Sequence, residues 1–133
     1  MTKRRNKRDT RERMINATML IGVLLWAATV FLRETSLIHI PIIRSLLGVA
    51  PNFGAVWGAF GLTYTTVFPV ILKRKFDFRY SVPLLVLIVS LLLVSEIIHD
   101  VFLNSPFDGW DMVTSLVAAA LLWLGLSLTR PAA

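Results

Sequence analysis

Residues 14–32 carry no charged side chain in 19 consecutive positions. That run constrains the fold more than any other feature of the chain. Hydrocarbon offers no water to pair backbone N–H and C=O groups, so a crossing segment must satisfy its own, as a helix or in a closed barrel. At about 1.5 Å per residue, a helix over this run nearly spans a core about 30 Å thick. A cleaved signal peptide is the competing reading. Its apolar part normally covers only about 7–15 residues, and Ala27-Ala28 is a poor processing site. The run reads as an uncleaved signal anchor.

Three more apolar stretches follow, at about residues 53–72, 82–103 and 111–128. Apolar residues make up 56% of the chain, above the roughly 45–50% of soluble domains, and charged residues 17%, below their usual ~25%. The chain has no cysteine, which excludes a disulfide framework, a thiolate metal site and a cysteine nucleophile. The third stretch is free of charge only over 82–94, which is too short to cross. Extended to 103 it is long enough, so Glu96, His99 and Asp100 fall in the last turns of that helix. Asn104-Ser105-Pro106 is the expected break before the fourth span.

Basic residues give the spans a direction. Seven Lys/Arg precede the first span, two lie between the first and second, four between the second and third, none between the third and fourth, and one, Arg130, at the end. With four spans, twelve fall on one side and two on the other. The positive-inside rule then puts both termini and the 73–79 loop in the cytoplasm. Residues 1–13 form a basic tail, expected to be disordered or loosely helical. Such a tail could attract nucleic acid, but the apolar run that follows at once makes it an orientation signal, with no nucleic-acid partner. The expected fold class is all-α: an integral membrane bundle of four transmembrane helices, N-in/C-in, forming one domain over residues 14–130.

Residues 33–50 mix Arg33, Glu34, His39 and Arg44 with apolar side chains and Pro41, which suits a short interfacial segment between helices 1 and 2. Pro51-Asn52 then reads as the start of the second span. Gly54, Gly58, Gly61 and Thr65 share one helix face, and small residues at that spacing let helix backbones approach closely in lipid. The spacing does not say whether the partner is a helix of the same chain or of a second copy. Asp111, Ser115, Ala118, Leu122 and Gly125 make a similar narrow face on the fourth helix, expected to pack on the acidic face of the third.

Four of the eight acids, Glu96, Asp100, Asp108 and Asp111, lie within one stretch with His99. Glu96, His99 and Asp100 share a helix face. A carboxylate at membrane depth is costly, so Glu96 should face protein or water with a partner; His99, Arg33, Arg44 and His39 are the candidates. Glu96, Asp111, Asp108 and His99 are therefore the ligand-binding candidates, placed around an outward-facing acidic pocket. Asp108 or Asp111 can equally cap the fourth helix by accepting from its first N–H groups. Di-iron bundles need two Glu-x-x-His motifs plus two further Glu, and Glu96-x-x-His99 is the single instance here, so no metal is expected. No G-x-S-x-G, P-loop or dinucleotide fingerprint occurs, and no cofactor is implied.

Pro51-Asn52-Phe53, Glu96-x-x-His99 and Phe107-Asp108-x-x-Asp111 follow one another on the second, third and fourth spans. In that order they resemble the VanZ-like family of small bacterial membrane proteins. The family pattern is roughly Pro-Asn/Asp-Phe, then Glu-x-x-Gln, then Gly-Thr-Phe-Asp-x-x-Asp, and the resemblance covers about residues 48–125. His99 stands where the family usually has Gln, Ser105-Pro106 where it has Gly-Thr, and Ser115 and Ala118 where Asn and Gly are common. The family is named for a protein associated with low-level teicoplanin resistance. The resemblance implies a location in the bacterial plasma (inner) membrane and an envelope role: binding a membrane lipid, a lipid-linked cell-wall precursor or a glycopeptide at the acidic pocket. A membrane enzyme acting on a lipid head group through paired carboxylates, and a small transporter, are the alternatives.

Overall fold

The computed structural model describes residues 2–103 and 107–129. The expected break at 104–106 and Arg130 lie outside the described residues. Four long helices carry the fold, α1 (Thr2–Arg33), α2 (Pro41–Leu62, continuing as a π-helix over Thr63–Ile71), α3 (Ser81–Leu103) and α4 (Gly109–Leu128), with no strand among the described residues. Each contains a segment long and apolar enough to cross a membrane. The chain is an all-α, multi-pass membrane bundle.

The third and fourth spans fall within two residues of the sequence expectation, inside the ordinary uncertainty of helix ends. Two boundaries differ. α1 is helical from Thr2, so the basic segment expected to be loose continues the first membrane helix. α2 begins at Pro41 rather than near Phe53, and the interfacial segment shrinks to a single 3₁₀ turn over Ser36–His39. Pro41 is suited to a first helical position, because its φ is preset and its missing N–H would have had no partner. Ile40 before it is extended (φ −80°, ψ 117°), as a residue preceding proline prefers.

Pro51 then lies inside α2. An interior proline cannot donate to the carbonyl four residues back, which here is that of Leu47. In this bundle Arg33 supplies the missing donor: its Nη2 donates to the Leu47 carbonyl at 2.8 Å. A second interior proline, Pro69, sits in the π-helical stretch. There the Thr63 and Thr65 hydroxyls donate to the carbonyls of Ala59 and Gly61, contacts that loosen a helix locally. The full α2 segment runs 31 residues, more than a core about 30 Å thick requires, so it must tilt or stand proud of the hydrocarbon.

α2 is the central helix: it packs on α1 most extensively, then on α4 and α3. Glycine makes the α1–α2 contact possible. A Cβ added at Gly22 would lie 2.5 Å from the Gly58 nitrogen and 2.7 Å from the Gly54 carbonyl oxygen, and one at Gly54 would lie 2.6 Å from the Gly22 carbonyl oxygen. The small face of α2 is thus spent inside the monomer against α1. The small face of α4 is buried mainly against α2 rather than against the acidic face of α3: Ser115, Ala118 and Leu122 are buried, and the Trp57 indole N–H donates to the Ala118 carbonyl at 2.9 Å. Leu85 and Ile88 of α3 complete a core with Ile15, Val56, Phe60 and Leu126.

The two ends of the bundle differ in chemistry. At one end Arg11 of α1 lies over the ring of Phe78 in the α2–α3 loop, 5.9 Å from its centroid, and Met14 meets Gly125 near the end of α4. Phe76 of the same loop inserts among Phe60, Tyr64 and Phe68, with ring centroids 5.9, 5.3 and 4.9 Å away. At the other end lie the α1–α2 turn, the end of α3 and the start of α4.

Candidate functional site

Side chains from all four helices meet at the end remote from the basic loop. α4 starts there because Asp108 caps it: extended at φ −102°, ψ 107°, it accepts the Trp110 backbone N–H at 2.9 Å. An N-cap of this kind is worth about 1 kcal/mol. Asp108 is exposed, and its carboxylate is committed to that structural contact. The cap leaves Asp111 in the first turn of α4, partly buried and facing the bundle. Its backbone carbonyl accepts the hydroxyl of buried Ser115 at 2.9 Å, which ties the turn to the α4 packing face.

The Asn52 side chain of α2 lies beside the Asp111 carboxylate, and the Arg33 guanidinium from the end of α1 lies within charge range. Arg33 thus donates to the orphaned Leu47 carbonyl while lying within charge range of Asp111. Glu96 approaches from α3. It is partly buried and lies within charge range of Asp111, Asp108 and His99. Glu96 and Asp111, separated by 15 positions in sequence, lie within charge range of each other. His99 is exposed, one turn further along α3 and near Glu96.

Of the four candidates, Glu96 and Asp111 are partly buried and within charge range of each other, Asp108 caps α4, and His99 is exposed. Asn52 is the residue the sequence reading passed over as a site member, because a polar residue after proline reads as a helix start. Its signal was an amide within an otherwise apolar run. Arg33, weighed in the sequence as a partner for Glu96, donates to the Leu47 carbonyl and lies within charge range of Asp111. Among the described residues no group of three or more His, Asp or Glu side chains is arranged to hold a metal ion.

Immediately beside the polar cluster lies an apolar cleft of about 380 Å³ between α1 and α2. Leu32, Leu47, Phe53 and Thr114 line it, and each is next to, or one turn from, a member of the cluster: Arg33, its acceptor carbonyl, Asn52 and Asp111. Leu25, Ala28 and Thr29 carry the cleft down α1, with the Thr29 hydroxyl turned into its own helix on the Leu25 carbonyl at 2.8 Å. Apart from Thr29 and Thr114 the lining is apolar, and Arg33, Asn52, Glu96 and Asp111 are not part of it, so the slot suits an apolar chain near the polar cluster. No protein-family model, curated protein or solved structure matches the chain.

Proposed function

We propose that the chain is a VanZ-like protein of the bacterial inner membrane that binds an amphiphilic envelope component at its outward-facing acidic site: a lipid, a lipid-linked cell-wall precursor or a glycopeptide. The observation that carries this reading is the Glu96–Asp111–Asn52–Arg33 cluster together with an apolar cleft lined by sequence neighbours of its members. A carboxylate pair with an amide and one guanidinium recognises a head group rich in hydroxyl or ammonium donors, while the cleft takes an apolar chain. The resemblance adds support. Its three short motifs lie on three helices, and one residue of each, Asn52, Glu96 and Asp111, belongs to this single cluster. The positive-inside rule turns the cluster toward the outer leaflet. A bilayer-level carboxylate that only stabilised the bundle would be hard to justify, since partial burial of charge costs more than it returns unless the group is well paired.

Complementation tests the reading. In a strain lacking the protein, Glu96→Gln, Asp111→Asn and Ala50→Phe, which fills the apolar cleft, should each lose protection against envelope-active drugs at wild-type protein levels. Asp108→Asn, which touches the cap, should retain most of it. Full complementation by the first three variants would remove the binding site and leave these acids as helix-end structure. Two carboxylates within charge range, Glu96 and Asp111, also admit a second reading, hydrolysis of a polar lipid head group by an acid and base pair. Turnover of lipid by purified protein, lost in Glu96→Gln, would select it.

A further inference from the structure

A second cleft, of about 480 Å³, lies at the opposite end of the bundle, where α1, the π-helical end of α2 and the α2–α3 loop meet. It owes its shape to the way α2 stops. Lys73 takes a left-handed conformation (φ 51°), and the Arg74 N–H reaches back to the Phe68 carbonyl at 2.9 Å, so the chain reverses over the helix end. The reversal seats Phe76 against Tyr64 and Phe68 and sets Arg74 and Lys75 along the cleft, facing Arg11 of α1. Three cations from segments far apart in sequence thus line one opening, against one acid, Glu12.

Arg11 supplies the decisive detail. Its Nε is buried and has no hydrogen-bond partner among the described residues. A buried donor on a charged group is costly to leave unpaired, more so than a neutral one. The guanidinium lies over the Phe78 ring, 5.9 Å from its centroid, a contact that leaves the N–H unsatisfied. Arg11 itself lines the cleft beside Arg74 and Lys75, and guanidinium groups match phosphate geometry well. Depth identifies the source of the phosphate. Arg11 stands just before the uncharged run of α1, and Arg74 and Lys75 follow directly on the apolar end of α2, so the cleft opens at the level of the lipid head groups. Basic pockets between membrane helices at that level hold anionic head groups.

The geometry points to a binding site for the head-group phosphate of an anionic phospholipid, in the leaflet on the side of the basic tail. It is separate from the acidic site, and neither depends on the other. The test is native mass spectrometry of the full-length protein, purified in neutral detergent and titrated with phosphatidylglycerol, phosphatidylcholine or inorganic phosphate. One phosphatidylglycerol should be retained in preference to phosphatidylcholine. Arg11→Gln and Lys75→Gln should each lower its occupancy about fivefold, while Arg13→Gln, an exposed α1 residue of the same charge outside the cleft, should leave it unchanged. Lys75 is exposed, so its substitution reads binding without threatening the fold. Equal loss in all three variants would reduce the effect to general basicity and overturn the site. Retention of inorganic phosphate without phosphatidylglycerol would overturn the lipid assignment.

Discussion

Replacing Arg33 with methionine should destabilise the bundle by an amount that depends on whether residue 51 is proline. The Leu47 carbonyl is buried and lacks its helical donor because Pro51 has no N–H; Arg33 Nη2 replaces that donor at 2.8 Å. In water-soluble proteins a hydrogen bond from a charged group is worth about 1.5–3 kcal/mol. Within membranes side-chain bonds average nearer 0.6 and reach about 1.7 kcal/mol, because the unfolded helices also find partners. A cost of about 1–2 kcal/mol for Arg33→Met is the resulting expectation. Pro51→Ala restores an N–H one turn above Leu47, so in that background the carbonyl stays paired when Arg33 is removed. The double-mutant cycle should give a coupling of about 1 kcal/mol. The remaining cost is the lost charge beside Asp111. Equilibrium unfolding in mixed micelles, followed by tryptophan fluorescence, measures all four corners. An Arg33→Met cost equal in the two backgrounds to within about 0.3 kcal/mol would refute the donor-replacement argument.

Two further expectations concern packing and the loop. Gly22→Ala places a methyl 2.5 Å from the Gly58 nitrogen where ordinary contact begins near 3.4 Å, so α1 and α2 must part by about 0.9 Å; since both obstructing groups are backbone, the cost should be about 1–3 kcal/mol in the same unfolding assay, whereas a second-copy interface would show instead as loss of an oligomer. At the loop, the Arg79 backbone N–H and guanidinium hold the exposed Asp77 carboxyl below its ordinary value. The folded value is the depressed one, so the contribution is complete above about pH 4 and is lost as pH falls through the folded value. Hydrogen exchange at the Arg79 amide, corrected for its intrinsic rate, should show constant protection from neutral pH down to about 5 and a fall below about 4. A fall that persists in Asp77→Asn would assign it elsewhere.

The fold was largely legible in the sequence because membrane helices satisfy their backbones within themselves. Gaps between charges therefore mark their lengths, as residues 82–103 and 111–128 illustrate. Where the reading failed, the missing term was a contact between helices. Pro51 reads as a helix start when α2 is considered alone; it becomes an interior residue only because Arg33, eighteen positions earlier, serves the carbonyl it orphans. The Gly54 face carries its spacing openly, yet its partner, Gly22, is known only once α1 and α2 are packed. The site shows the same division. Glu96 and Asp111 stand out because charge is conspicuous in an apolar chain. Asn52 does not, since a single amide beside proline has an ordinary local explanation. Asp108 was legible as either cap or ligand, and the Trp110 N–H it accepts places it with the caps.

Cross-linking tests the convergence of α2 and α4 at the site most directly. The chain has no cysteine of its own, so Asn52→Cys paired with Asp111→Cys provides an unambiguous reporter. With a protease site placed in the α2–α3 loop, mild oxidation of intact cells followed by cleavage should leave the two halves joined until reduced. Asn52→Cys paired with Lys75→Cys, a pairing expected at opposite ends of the bundle, serves as control for the oxidation. If the Asn52/Asp111 pair separates on cleavage as freely as unoxidised protein, the two helices do not meet there, and the site built on them does not exist.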